Sequence, residues 1–551
     1  MNPTLTPPIL SCAAAGEFEQ NFFADEAAEW AAMRAAGRAV AHGILQDYAE
    51  LGAFPSDARL LTLVGKGNNG GDALIATEEI LRLHPGARAD LVFAFGTRGL
   101  KPLAMRAWQN LQQSYRDRVT AYLHLPARQQ LDADARPPAY GGWSATSGRA
   151  EPTPDYNPKP YTASIDGVFG FQFRPPLIGP AKSLLRHANA ATVRLRAAVD
   201  LPSGLDEPDA FRADFTYATG AVKSPIVGGA NSGRIRYLDL GFFAPERDVP
   251  VPERVLTSAI LDPLRALRPA LGDKRGYGHI CILGGSRSYP GAVLMNVLAA
   301  LHSGVGLVTA FVPETLVPAY AARAPEAMWV AWPETPNGSL ALEGLHLWKE
   351  RAGRATALAM GSGMGREPET LALVQELVKI AGVPVLLDAD ALQPDIISAA
   401  KGALLLTPHA GEYERISGGK SLSDYCATAG ATVILKGPVT RVCSGASTDE
   451  RHKRGKRAAA QLRVYHSFFG GPILARGGSG DVLAGLTAGQ LALMHGTLAK
   501  AEPLTPPTLL AAVRGAVWHG LAADSLARTT GQTSATVTQL IDHLPQVLRN
   551  L

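Results

Sequence analysis

The chain has 551 residues, of which 46% are hydrophobic and 19% are charged. This is the composition of a globular protein, and the length suggests roughly two to four domains. The net charge is only +4, so neither a nucleic acid nor another polyanion is expected as a partner. The four cysteines, at positions 12, 281, 426 and 443, have neither zinc-ligand spacing nor disulfide density, so a cytoplasmic location is expected.

In the first half, predicted strands alternate with glycine-containing loops and helices. A helix is predicted over residues 26–51, and a strand at Arg59–Val64 leads into a glycine-rich loop and a further helix. Further strands are predicted at residues 90–95, 163–168 and 197–200. This order predicts a Rossmann-like, three-layer αβα domain over residues 1–250.

Two stretches interrupt this pattern. Residues 126–160 are rich in proline, glycine and serine and are predicted to form a surface insert. Residues 244–262 lack a strand pattern and contain Pro245, Pro250 and Pro252, so they are predicted to connect two domains.

A second α/β domain is predicted over residues 255–551. Its strands are expected at His279–Leu283, 307–311, 355–360, 383–388, 403–406 and Thr432–Leu435, with helices after Asp481, Thr508 and Val537. The most apolar stretch, residues 291–312, includes Asn296 and His302 and is predicted to be a core helix and strand rather than a membrane span. A hydrophilic insert at residues 444–464 carries a basic run, residues 451–457.

The loop at residues 476–485 reads Arg-Gly-Gly-Ser-Gly-Asp-Val-Leu-Ala-Gly and opens a predicted helix. Its glycines let the backbone approach an anion, and the helix start directs free N–H groups towards it. Asp481 would lie beside a phosphoryl group, where a carboxylate can accept the proton of an attacking hydroxyl. A helix cap is the plainer alternative for this residue.

The loop after the first predicted strand reads Gly65-Lys66-Gly67-Asn68-Asn69-Gly70-Gly71-Asp72. Amide and carbonyl oxygens are hard ligands, so this loop could hold a monovalent cation as well as a pyrophosphate, with Asp166 and Ser203 completing the shell. Asp200 follows a later strand and is placed to exchange a proton with a ligand. A simple turn and a simple helix cap are the alternatives.

These residues, together with the later Asp200-Leu201-Pro202-Ser203-Gly204-Leu205-Asp206, resemble the NAD(P)H-hydrate epimerases. The chain departs from that family at Ala73 and in the segment at residues 169–174. The resemblance implies a potassium ion held by Asn69, Asp166 and Ser203, with Asp200 as the catalytic residue. It implies substrate contacts from Asn68, Asn69, Gly70, Gly71, Asp72, Gly170, Arg174 and Asp200.

The second half contains a series of motifs in a characteristic order: residues 274–279, 284–292, 361–365, 388–392, 407–412, 436–440, and then the Asp481 loop. This order resembles the ADP-dependent NAD(P)H-hydrate dehydratases, which have a ribokinase-like fold, over about residues 265–545. The resemblance implies that Ala292, Gly363, His409 and Asp481 face the hydrated nucleotide, with Asp481 as the catalytic base. It implies that Lys436, Gly437, Pro438, Val439, Thr440 and Gly480 face ADP, which would be accompanied by magnesium.

The spacing of His409 and Glu412 leaves open a weak metal pair or, more simply, a helix start. Together the two resemblances imply a bifunctional enzyme that repairs hydrated NADH and NADPH. The first domain would interconvert the R and S hydrates, and the second would dehydrate the S hydrate with ADP. The alternative is a small-molecule kinase fused to a non-catalytic binding module. A homo-oligomer that acts on small molecules, without a membrane or nucleic-acid partner, is expected.

Overall fold

The computed structural model describes residues 5–122, 142–143, 150–151, 160–445, 462–496 and 505–551. These residues form two compact units. One runs from Pro8 to Val249, and the other from Pro250 to Leu551 together with residues 5–7. The predicted inserts at 126–160 and 444–464 lie largely outside the described residues, and the basic run at 451–457 lies wholly outside them.

The first unit is built on a parallel sheet flanked by helices. Its strands are β1 (Ile9–Leu10), β2 (Arg59–Val64), β3 (Arg88–Phe93), β4 (Val119–Tyr122), β5 (Gly142–Trp143), β6 (Ala150–Glu151), β7 (Tyr161–Gly167), β8 (Val193–Val199), β9 (Phe215–Thr219), β10 (Val222–Lys223) and β11 (Arg234–Leu238). Its helices are α1 (Cys12–Phe22), α2 (Glu26–Tyr48), α3 (Asn68–Leu83), α4 (Pro102–Tyr115) and α5 (Gly179–Ala190).

Seven of these strands form one sheet in the order β11-β9-β8-β7-β2-β3-β4, with every neighbouring pair parallel. Strand β2 lies between β3, the next strand in the chain, and β7, a later strand. The strand order therefore reverses at β2. A crevice forms where the order reverses in this way, outside the carboxyl ends of the strands. Five of the six residues of β2 are buried, as expected for a strand covered on both faces.

The second unit is a larger α/β layer structure. Its strands are β12 (Glu253–Val255), β13 (His279–Leu283), β14 (Leu307–Pro313), β15 (Met328–Trp332), β16 (Ala357–Met360), β17 (Val385–Leu387), β18 (Leu404–Leu406), β19 (Thr432–Leu435), β20 (Thr440–Ser444) and β21 (Val464–Ser467). Its helices are α6 (Pro290–His302), α7 (Val317–Arg323), α8 (Leu345–Arg351), α9 (Pro368–Ile380), α10 (Pro394–Ala399), α11 (Ala410–Ser417), α12 (Leu422–Ala429), α13 (Ser479–Met494), α14 (Pro507–Thr530) and α15 (Val537–Asn550).

Its ten strands lie in the order β12-β21-β20-β19-β18-β17-β16-β13-β14-β15. Only β20 is antiparallel to its neighbours, β19 and β21, within this sheet. The order reverses at β13, which lies between β14 and β16. The carboxyl ends of β13, β16, β17, β18 and β19 therefore share one edge of the sheet. The motif at residues 274–279 leads into β13, and each later motif of this half follows one of those strands or begins α13.

The α/β prediction is confirmed for both halves, and so is the core helix and strand at residues 291–312. One prediction is wrong: residues 244–262 do contain a strand, because β12 pairs in parallel with β21. The signal was missed since this strand has only three residues and closely follows Pro250 and Pro252. Within the described residues, no helix is long and apolar enough to cross a membrane.

Candidate active sites

The first site is a cavity of about 660 Å³ at the carboxyl ends of β2, β7 and β8. Several predicted residues line it together: Asn68, Asn69, Asp72, Gly170, Arg174 and Asp200. Helix α3 begins at Asn68, inside the predicted loop, so the asparagines occupy its first turn. The free N–H groups of that turn make this end of the cavity suitable for an anion.

Asn69 joins the loops that follow three neighbouring strands. Its side-chain nitrogen donates to the carbonyl oxygens of Val199, at 2.9 Å, and Phe169, at 3.3 Å. Gly170 lies so close that a Cβ there would be 2.4 Å from the Asn69 amide oxygen. Only glycine fits at position 170 for this steric reason, although both neighbouring residues in the altered segment after β7 are phenylalanines.

Asp166 and Ser203 form a buried pair beside this amide. The Ser203 hydroxyl donates to Asp166 Oδ1 at 2.7 Å, and the Ser203 N–H donates to Oδ2 at 2.7 Å. Burial raises the pKa of Asp166 to about 6, against the opposing effect of the hydrogen bonds from Ser203 and Val168. Carboxylate, hydroxyl and amide oxygens lie close together here, and none of these contacts involves a basic side chain. Oxygen donors of this kind fit a potassium ion.

Asp200 has a partner that the sequence did not reveal. It follows β8 with a left-handed backbone, φ +66°, and its side chain is almost fully buried. The ammonium group of Lys223 donates to Asp200 Oδ1 at 2.5 Å, and the Thr219 hydroxyl approaches the same oxygen at 3.4 Å. The two buried side chains therefore form an ion pair.

Two further acids line the same cavity. Burial raises the pKa of Asp72 well above its ordinary value, and Asp200 and Glu19 raise it further. Its Oδ1 atom is buried without a hydrogen-bond partner among the described residues. Burial also raises the pKa of Glu19, a residue of α1, to about 7. The cavity therefore combines an ion-paired carboxyl group with two acids whose pKa values are raised.

The remaining walls combine basic and aromatic side chains. Lys66, Lys101 and Arg174 line the cavity and can meet a pyrophosphate. The rings of Phe169 and Phe173 are 4.8 Å apart and form a surface on which a flat heterocycle can stack.

The second site lies where α13 begins, in the second unit. Gly478 caps this helix with φ +96°, so Asp481 lies in the first turn. Burial raises the pKa of Asp481 to about 6; Asp388 raises it too, whereas a hydrogen bond from Ser362 and the charge of Lys436 lower it. The carboxyl group is thus poised to accept a proton near neutral pH.

The loops after β13 and β16 meet beside this acid. Gly363 has φ +65°, and a Cβ there would be 2.8 Å from the Cβ of Ala292. Asn296 donates to the hydroxyl of Ser362 at 3.0 Å, which fixes the serine next to Asp481. Ala292, Gly363 and Asp481, three of the residues that the resemblance implies for the hydrated nucleotide, are therefore brought together.

Lys436 reaches the acid loop from the end of β19. Its Nζ atom is 3.0 Å from Asp388 Oδ1 and would be 3.2 Å from a Cβ at Gly480. Burial opposes its charged form, but Asp388 and Glu412 raise the pKa of Lys436 above its ordinary value. The residues after it, Gly437 and Pro438, are exposed, and Val439 and Thr440 are half-buried.

His409 has a structural role at the start of α11. Its Nδ1 atom accepts from the N–H groups of Gly411, at 3.0 Å, and Glu412, at 3.3 Å, while Glu412 accepts from the His409 N–H at 2.9 Å. This reciprocal cap favours the helix-start interpretation over the metal pair. No cluster of three or more His, Cys, Asp or Glu suited to a metal is found in the part of the chain that the structure describes.

Known protein families and relatives match nearly the whole chain. The family model described as NAD(P)H-hydrate dehydratase matches residues 280–546, and the one described as YjeF-related protein N-terminus matches residues 30–224. A bifunctional NAD(P)H-hydrate repair enzyme of Moorella thermoacetica is 31% identical over 523 residues, covering 90% of this chain and 88% of the relative. Another, from Gloeobacter violaceus, is 32% identical over 542 residues, covering 94% and 93%.

The chain belongs to the family of bifunctional NAD(P)H-hydrate repair enzymes. Two solved structures resemble about half of the chain. A ribokinase-like superfamily protein from Enterococcus faecalis V583 is 25% identical, covers 54% of this chain and 96% of its own, and has a TM-score of 0.43. The ADP/ATP-dependent NAD(P)H-hydrate dehydratase from Bacillus subtilis is 26% identical, covers 52% and 93%, and has a TM-score of 0.41.

Several residues of the two sites were missed by the sequence analysis. Lys66 and Lys101 gave no signal beyond their charge. Lys223 lies in a two-residue strand 23 positions after its partner Asp200, and only the folded sheet brings the two together. Glu19 precedes residue 30, where the match to the family model described as YjeF-related protein N-terminus begins.

Proposed function

We propose that the two units act in succession to repair hydrated NADH and NADPH. The first unit interconverts the two epimers at the hydrated ring carbon. The second phosphorylates the S epimer with ADP and expels the phosphate to restore the reduced nicotinamide. Family membership supports this division of work, and each site has an aspartate suited to its step, buried in the first site and half-buried in the second.

In the first unit the substrate would enter the cavity with its pyrophosphate at the start of α3 and near Lys66, Lys101 and Arg174. The hydrated ring would lie against the phenylalanines, within reach of Asp200. Asp200, held in place by Lys223, would accept and return the proton of the hydroxyl group or of incoming water.

In the second unit Asp481 would remove the proton from the hydroxyl of the S epimer as its oxygen attacks the terminal phosphoryl group of ADP, leaving AMP. Phosphate then leaves with the carbon–oxygen electron pair. A proton is lost from the neighbouring ring carbon, and the ring double bond returns. Hydroxide is a poor leaving group, and phosphorylation replaces it with a good one. Lys436, beside Gly480, would neutralise the charge on the nucleotide phosphates.

Two metal ions belong to the proposal. Potassium would be held by Asn69, Asp166 and Ser203, and it would supply positive charge next to the loop that carries Asp200. Magnesium would arrive largely with the nucleotide phosphates, which is how this ion is commonly bound in phosphoryl transfer. A cytoplasmic location and a homo-oligomer also remain predictions.

The observation that carries the proposal is the position of Asp481, a half-buried carboxyl at a helix start whose neighbours are Lys436 and the loop of Gly363. The test is to give the purified R or S hydrate to the protein and follow both epimers by chromatography, without and with ADP. We expect interconversion without ADP. With ADP and magnesium we expect reduced nicotinamide, AMP and phosphate in equal amounts. A phosphorylated product that accumulates, or an R hydrate that is never converted, would contradict the proposal.

A further inference from the structure

We infer that Glu19 is a second catalytic residue of epimerisation and shares the proton transfers with Asp200. The inference rests on the proposed epimerase function of the first unit. It adds a residue from α1, a helix that lies before the region matched by the family model.

The chemistry of the substrate calls for two groups. The hydrated carbon bears a hydroxyl and is bonded to the ring nitrogen. A proton donated to the hydroxyl lets it leave as water with the carbon–oxygen electron pair, while the nitrogen lone pair forms a carbon–nitrogen double bond. Water then adds to the other face, the double-bond electrons return to nitrogen, and a base takes the proton from the added water. The proton is therefore given on one face of the ring and taken on the other, which two fixed groups accomplish without moving.

The fold brings Glu19 to the cavity by a short strand and helix. Strand β1 pairs in parallel with β10, which places Leu10 beside Lys223, the partner of Asp200. Helix α1 begins two residues later and is capped by Ser11, whose hydroxyl accepts from the Ala14 N–H at 3.1 Å. The strand pairing thus fixes α1 close to the Asp200 pair.

The face of α1 that meets the cavity is defined by Gly16. A Cβ at Gly16 would lie 3.4 Å from the ring of Phe171, which lines the cavity. Glu19 is three residues further on, so it occupies the same face of the helix and lines the same cavity. The Nζ atom of Lys223 lies 5.4 Å from the centre of that Phe171 ring. Glu19, Phe171 and the Asp200 pair therefore surround one space.

The electrostatic surroundings suit Glu19 to this role. Burial raises its pKa to about 7; Lys223 lowers it, whereas Asp200 and Glu29 raise it. Near neutral pH both forms of the carboxyl group are populated, so it can donate a proton and take one back. Burial also raises the pKa of Asp72, which faces the same cluster.

The test compares two variants of the full chain, Glu19→Gln and Glu17→Gln. Glu17 belongs to the same helix but is exposed and does not line the cavity. Each protein receives one purified epimer without ADP, and the rate of appearance of the other epimer is measured across a range of pH. We expect Glu19→Gln to lower kcat by about a hundredfold or more and Glu17→Gln to leave it unchanged.

The pH profile separates a catalytic role from a structural one. In the direction in which Glu19 donates, the wild-type rate should fall as the pH rises through about 7, since only the protonated form can donate. The Glu19→Gln variant should lack this fall. In water labelled with ¹⁸O, each newly formed epimer should carry a solvent oxygen, and an unlabelled product would overturn the inference.

Three results keep the inference separate from the proposed function. If the wild type does not interconvert the epimers, the epimerase proposal itself fails. If the wild type does so and Glu19→Gln matches Glu17→Gln, or loses rate but keeps the wild-type pH profile, Glu19 is not catalytic. If thermal unfolding shows that Glu19→Gln is not folded, the Glu19→Asp variant is used instead. Glu19→Asp should be slower than the wild type, and its rate should still fall at alkaline pH. Absence of that fall would overturn the inference.

Discussion

The ammonium group of Lys223 lies 2.5 Å from Oδ1 of Asp200, and the two side chains are only 1% and 3% exposed. An ion pair this deeply buried gives up the hydration of both charges, and each then depends on the other. The pair therefore links the stability of the first unit to its proposed proton acceptor.

Substitution Lys223→Met should accordingly cost both stability and activity. We expect a loss of about 3–5 kcal/mol in the free energy of unfolding, because Asp200 remains buried without its cation, together with the loss of epimerisation. Urea unfolding of residues 8–249 measures the first effect. Lys182→Met is the control, since Lys182 is 40% exposed and its pair with Asp209 should contribute less than about 1 kcal/mol. Equal stability of the two variants would show that the buried pair does not hold the unit together.

The rate of dehydration should fall at acid pH because of Asp481. The base form of this carboxyl is the ionised one, and its pKa is raised to about 6, so activity should be present above pH 6 and fall about tenfold per unit below it. Asp481→Asn should bind ADP yet lower kcat by about a hundred to ten thousandfold. The rate of reduced-nicotinamide formation measures both. Asp262→Asn, at an exposed position, serves as the control, and a normal rate in Asp481→Asn would refute the assignment of the base.

Asp200→Asn should show the complementary pattern. Because Asp200 and Asp481 belong to different units, Asp200→Asn should abolish interconversion of the epimers and leave ADP-dependent dehydration of the S hydrate intact. The two reactions are measured on the same preparation with single epimers. Loss of both activities in either variant would contradict the separation of the two steps.

Asp166→Ala should remove the dependence of epimerisation on potassium. This carboxylate is fully buried and is the only charged member of the proposed ligand set, Asn69, Asp166 and Ser203. The rate should fall and should no longer respond when sodium replaces potassium at constant ionic strength. Dehydration of the S hydrate should be unaffected. A variant that keeps the wild-type potassium response would show that the cation binds elsewhere.

Cutting the chain between Val249 and Pro250 should leave two folded pieces of unequal stability. All residues that line the first cavity lie between 19 and 242, so residues 8–249 should epimerise alone. Residues 250–551 lose the contact in which the Val255 N–H donates to the Pro7 carbonyl at 2.8 Å, and that of Thr257 with Leu5. Their unfolding free energy should be about 1–3 kcal/mol lower than when residues 1–7 are attached through a glycine linker. Equal values would show that this pairing adds nothing.

The second site could be predicted from the sequence largely because its motifs follow successive parallel strands. The carboxyl ends of such strands meet at one edge, so the loops that carry Gly363 and Lys436 lie along the same edge. Asp481 reaches that edge from the first turn of α13, where Ser362 hydrogen-bonds to it. The side-chain partners were harder to predict. Asp388 engages Lys436 across 48 positions of sequence, and a strand-end lysine gives no sign that an acid will meet it.

The first site was predicted only in part, for a related reason. Asn69, Asp166 and Ser203 follow recognisable strands and carry oxygen ligands, so their grouping could be expected. Glu19 and Lys223 reach the cavity through β1 and β10, which have two residues each and are too short for alternation to be read. Their importance comes from the pairing of those strands and from burial, neither of which a local pattern records.

The pairing of residues 5–7 with β12 also sets an order of events during synthesis. The Arg254 side chain reaches the Thr6 carbonyl across 248 positions of sequence. At the usual speed of translation, this separation corresponds to a delay on the order of ten to fifty seconds. The opening residues therefore leave the ribosome long before their partner strand exists, and the whole first unit can fold in the interval. The edge of the larger unit is complete only when residues 5–7 have paired with β12. A bulky tag fused to the amino terminus should therefore slow the folding of this unit more than the same tag at the carboxyl terminus.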